Sequence, residues 1–108
     1  MKHKSITMEL EHKLTISNLV FLAISQLNVY QLEMLKATHL SRGRIEPRKL
    51  VRIISVRMKC LPSLLFRDLE SLGSMRLVHP HYNAKEDSRV LELTDTGRLI
   101  AEEVMREV

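Results

Sequence analysis

Pro47 and Pro62 each open a short run in which apolar side chains recur at helical spacing, and only a few residues part the two runs. Proline suits the first turn of a helix, because its missing N–H has no intrahelical partner there. The first run sets Leu50, Val51, Ile54 and Met58 on one side, and the second sets Leu65, Leu69 and Leu72. Helices this short are marginal in water by themselves. They must bury these stripes against each other and a third element, so the pair is read as a helix-turn-helix.

The flanking residues supply the rest. Asn28, with Gln31 three residues on, forms a capping box that starts a helix over 29–40. Val29, Leu32, Leu35 and Leu40 are expected to face inward, and Ser41-Arg42-Gly43 ends the run. Residues 5–27 carry Leu10, Leu14, Phe21, Ile24 and Leu27 at three-to-four spacing, an amphipathic helix that Thr15-Ile16-Ser17-Asn18 is expected to interrupt. After Pro62 the helix is expected to stop at a Gly73 cap. Met75–His79 and Arg89–Leu93 read as strands joined by a turn at Asn83–Asp87, with Arg44-Ile45 as a small third strand. Thr94 caps a last helix over 95–107, with Gly97 in its first turn. The expected fold is mainly α with a small antiparallel β-hairpin, ordered α-α-(β)-α-α-β-β-α, a winged helix-turn-helix. Residues 1–28 form its dimerising N-terminal segment, 29–93 the winged domain and 94–108 the closing helix.

Charge narrows the function. The total is only +4, but residues 36–67 hold nine cations (Lys36, Arg42, Arg44, Arg48, Lys49, Arg52, Arg57, Lys59 and Arg67) against Glu46 alone, a net of +8. The other eight cations and twelve acids net −4. A basic segment concentrated within a folded domain fits a polyanion partner. With four aromatic residues and no Trp, a base-stacking platform is not expected. Cys60 is the sole cysteine, which excludes an intramolecular disulfide and a cysteine zinc cluster. It reads as either a redox thiol beside Lys59 or a half-buried structural cysteine. His79 and His81 share a strand face but have no evident third ligand, so neither a metal nor a cofactor is expected. No phosphate loop, Gly-x-Ser-x-Gly or carboxylate cluster points to an enzyme. Neither a signal peptide nor a membrane span is legible, and a soluble cytoplasmic protein is expected.

Three motifs carry a resemblance. Leu69-Glu70-Ser71-Leu72-Gly73 looks like the end of a recognition helix, Asp87-Ser88-Arg89 like a wing signature, and Leu93-Thr94-Asp95-Thr96-Gly97 like the Leu-Thr-x-x-Gly entry to a closing helix. Together, over about 29–108, they resemble the MarR (multiple-antibiotic-resistance regulator) and PadR-like winged-helix regulators. The resemblance implies a homodimer that binds double-stranded operator DNA and controls transcription. Arg89 would approach the minor groove with Asp87 orienting it, and Ser63, Leu64, Arg67 and Asp68 would face the major groove. Arg42, Arg44, Arg48, Lys49, Arg52, Lys59 and Lys85 are further DNA-contact candidates, and Leu10, Leu14, Phe21 and Ile24 are candidates for dimerisation. Few residues follow Gly97, so the N-terminal seam is expected to carry much of the dimer contact. Relatives often bind small-molecule effectors, but no residue here indicates one. Two other readings remain open: a winged-helix module that docks on proteins, and a nonspecific architectural or replication-associated DNA binder.

Overall fold

The computed structural model describes residues 18–83 and 88–106. Residues 18–25 form helical turns (α1), followed by α2 (Val29–Leu40), β1 (Arg44–Ile45), α3 (Pro47–Met58), α4 (Pro62–Ser74), β2 (Val78–Asn83), β3 (Ser88–Leu93) and α5 (Asp95–Arg106). The winged helix-turn-helix expected from the sequence is the observed fold. Leu10, Leu14, Lys85 and Asp87 lie outside the described residues.

The α2 capping box forms in full: the Gln31 N–H donates to Asn28 Oδ1 at 2.8 Å, and the Asn28 N–H donates to Gln31 Oε1 at 3.0 Å. The inward face of α2 differs from expectation. Gln31, Met34, Leu35 and Thr38 are buried, whereas Val29 and Leu40 are exposed. The cause is position in the fold, since α2 packs against α3, α4 and α5. Its polar side chains go inside because they are satisfied there, Thr38 Oγ1 donating to the Met34 carbonyl at 2.8 Å. Around it, Leu50, Ile54, Leu65, Leu72 and Ile100 complete a core with essentially no solvent exposure.

α4 runs through Gly73 to Ser74 and is not capped by glycine. Its end is a Schellman turn, in which the Leu77 N–H donates to the Leu72 carbonyl and the Arg76 N–H to the Gly73 carbonyl, both at 3.0 Å. Arg76 takes the left-handed position, with φ +59°. Met75 and Arg76 are consumed by this turn, so β2 begins at Val78 rather than at Met75. Arg42 (φ +63°) and Lys59 (φ +53°) take the same left-handed place after α2 and α3.

The sheet is antiparallel in the order β1-β3-β2. Arg44 pairs with Glu92 and Ile45 with Leu91 on one side of β3; on the other, Val78 pairs with Leu93 and Tyr82 with Arg89. Pro80 sits in β2, an edge strand, where its missing N–H breaks no ladder bond. The Leu-Thr-x-x-Gly motif joins this sheet to α5. Thr94 Oγ1 donates to the Arg76 carbonyl at 2.7 Å and accepts from the Gly97 N–H at 3.0 Å. A Cβ on Gly97 would collide with the Leu77 carbonyl, so the absent side chain is what lets α5 approach the root of the wing.

Candidate nucleic-acid interface

With Leu65, Leu69 and Leu72 turned into the core, the opposite side of α4 carries Ser63, Arg67, Glu70 and Ser74 at i, i+4, i+7 and i+11. All four are exposed. Glu70 and Ser74 were not among the sequence candidates, yet helical phase alone places them in this row. Leu64 lies on one flank, also exposed.

Asp68 departs from expectation. It is half-buried, and its Oδ1 accepts from Asn28 Nδ2 at 2.8 Å while its carbonyl accepts from Gln31 Nε2 at 3.3 Å. These bonds turn it towards the start of α2 and away from the outward row. Asn28 thus caps α2 and also holds α4 in place, a double use that spacing across forty residues could not reveal.

Lys49, Arg52, Val56 and Lys59 follow one another along the exposed side of α3. The nine cations of residues 36–67 are not equivalent. Lys36 and Arg57 both bind Glu33, at 3.0 and 3.2 Å, and Arg44 binds Glu92 at 3.2 Å. Burial pushes the Glu33 carboxyl up, but the two cations outweigh it and hold the group below its ordinary range. Arg42, Arg48, Lys49, Arg52, Lys59 and Arg67 are exposed and form no ion pair among the described residues. Arg44 is therefore less available for a phosphate than its neighbours.

The turn end of the wing comes close to the start of α3. Glu46, Pro47, Arg48, Phe66, Ser88 and Arg89 line one crevice, bringing Arg89 of β3 and Arg48 of α3 to a common edge. Phe66 was also missed from sequence; its signal is an aromatic residue one position beyond the core seam. Arg42 and Arg44 line a separate crevice with His39, Arg98 and the acids Glu92 and Asp95. Among the described residues, no three His, Cys, Asp or Glu side chains gather as a metal site would require. Cys60 is half-buried, and its carbonyl accepts from Ser55 Oγ at 2.6 Å. No described helix is long and apolar enough to cross a membrane.

Of the dimer candidates, Ile24 packs on the core of its own chain. Phe21 is 68% exposed and lines a crevice between α1 and α5 with Leu99, Glu102 and Arg106. Leu19, Leu22 and Leu99 are exposed as well.

No protein-family model matches this sequence, and no curated protein matches it. Solved structures do. The adhesin competence repressor AdcR of Streptococcus pyogenes superposes with a TM-score of 0.60 at 20% identity, over 91% of this chain and 72% of that one. A mutant MarR from E. coli complexed with operator DNA gives 0.59 at 20% identity, over 91% and 70%. Lactococcus lactis ZitR gives 0.59 at 18%, over 75% of this chain but only 52% of its own, so the match spans about half of that protein. The likeness is one of architecture: the chain has the winged helix-turn-helix fold of these MarR-family regulators.

Proposed function

We propose that this chain is a sequence-specific regulator of transcription that binds double-stranded DNA as a homodimer in the cytoplasm, without a catalytic step. The observation that carries the reading is the pairing of an outward polar row on α4 with Arg48, Lys49 and Arg52 of α3 and Arg89 of β3, which form no ion pair among the described residues. The N-terminal half of α4 enters the major groove, where Arg67 reads the O6 and N7 of a guanine. Ser63 contributes beside it, and Glu70 accepts from a cytosine amino group or repels a wrongly placed phosphate. Arg42, Arg48, Lys49, Arg52 and Lys59 contact phosphates and fix register. Arg44 assists only where Glu92 releases it. Arg89, with Lys85 and an orienting Asp87 in the wing, approaches the minor groove.

Two copies joined through Phe21, Leu99 and the N-terminal seam set their reading helices about 34 Å apart, one turn of duplex. The operator complex of the MarR neighbour supports DNA as the ligand. The exposed Val56, Leu61 and Leu64 favour, as a second reading, a module that docks on protein.

Recovering bound duplexes from a random pool, then reversing the charge of Arg67 and Arg89 to Glu, tests the reading. Wild type should bind a selected duplex at least a thousandfold more tightly than bulk DNA at physiological salt, the lower end expected of specific binding. Each reversal should weaken it by tenfold or more with unchanged melting temperature. A small specificity ratio would point to an architectural binder. Failure to bind any duplex at moderate salt would leave the docking module.

A further inference from the structure

We propose that Leu64 reads the 5-methyl group of a thymine in the major groove, beside the base pair taken by Arg67. The proposal rests on the DNA-binding reading above and assigns a determinant of sequence preference within it.

Leu64 is in the first turn of α4, its N–H donating to the Leu61 carbonyl at 3.1 Å. The N-terminal residues of a recognition helix are those that reach base edges. Its neighbour Leu65 is 1% exposed, whereas Leu64 is 63% exposed and belongs to neither the core nor its margin. A solitary exposed leucine needs no explanation. The setting of this one does. Ser63 adjoins it, Arg67 stands one helical turn further, and Arg48, Lys49 and Arg52 of α3 form no ion pair among the described residues, so the surface invites a polyanion. The part of a DNA major groove that suits an aliphatic side chain is the thymine methyl. Leu64 and Arg67 are separated by about 4.5 Å along the helix axis, close to one base-pair step of about 3.4 Å. An arginine reading guanine and a leucine reading the adjacent thymine are therefore compatible in length. Taking one methyl out of water is worth about fourfold in affinity.

The test uses the full chain and a duplex it selects from a random pool, remade with deoxyuridine replacing thymidine one position at a time. The replacement removes only the methyl group and leaves pairing intact. Wild type should lose about fourfold at one thymine in each half-site. Leu64→Ser, with unchanged melting temperature, should bind the thymine and uracil forms of that position equally. Equal binding of both forms by wild type at every position overturns the proposal and leaves DNA binding standing. Undiminished discrimination in Leu64→Ser overturns it too, because another side chain then reads the methyl. If no duplex is selected at all, both this assignment and the proposed function fail together.

Discussion

On the α3–α4 face the exposed side chains mix the cations Lys49, Arg52, Lys59 and Arg67 and the hydroxyl of Ser63 with the apolar Val56, Leu61 and Leu64. On the α1–α5 face they are Leu19, Phe21, Leu22 and Leu99, with Glu102 and Arg106 at the margin. Arg44 and Arg57, which join elements together, and Lys36, which pairs within α2, each have a carboxylate, whereas Lys49, Arg52, Lys59 and Arg67 have none among the described residues. Unpaired surface cations are well solvated, so the fold tolerates them at little cost until a polyanion displaces water and counterions. Exposed apolar side chains have no such ease in water, and a cluster of them is the usual mark of an interface. Under the proposed function the cation-rich face takes DNA and the other face a second copy of the chain.

The largest effect should come from separating the two. Phe21→Asp with Leu99→Asp charges the apolar face while leaving α3 and α4 untouched. Light scattering should show a halved mass, and affinity for a two-half-site duplex should fall on the order of a hundredfold, because one half-site then binds without the effective concentration supplied by the other. Binding to a single half-site should be unchanged. Unaltered mass would place the dimer contact elsewhere.

Next in size is Gly97→Ala. A Cβ there meets the Leu77 carbonyl, which is backbone and cannot swing away, so α5 must shift from the wing root. Crowding of this kind typically destabilises by about 1–3 kcal/mol, visible as a drop of several degrees in thermal denaturation. A melting point equal to wild type would mean that α5 sits less tightly than its hydrogen bonds to Thr94 imply.

Smallest, and opposite in sign for its two readouts, is Lys59→Gly. Lys59 occupies a left-handed conformation that glycine adopts without Cβ strain, so stability should rise by up to about 1 kcal/mol. The same change deletes a cation next to α4, so duplex affinity should fall and the salt dependence should flatten by about 0.9 in log–log slope. Stability and binding moving together would remove Lys59 from the DNA face.

Much of the fold was legible. Prolines at the starts of α3 and α4, the Asn28–Gln31 box and the Leu-Thr-x-x-Gly motif are local signals whose hydrogen bonds close within a few residues, so spacing alone exposes them. The inward side of α2 was misread because amphipathic reasoning assumes one wet side, and α2 is packed against three helices. The end of α4 was misread because Arg76, an unlikely left-handed residue by type, took the place expected of glycine. The outward row of α4, Glu70 and Ser74 included, follows by phase from Leu65, Leu69 and Leu72 as core.

What the sequence determined by itself was the order of elements and the basic character of residues 36–67, both of which depend on residues near one another in the chain. Only the tertiary structure decided which cations remain available and which way Asp68 turns. Those outcomes depend on partners brought from distant segments: Glu33 against Arg57, Glu92 against Arg44, and Asn28 against Asp68. A charge can be counted along the chain, but whether it is already neutralised depends on distances that only folding sets.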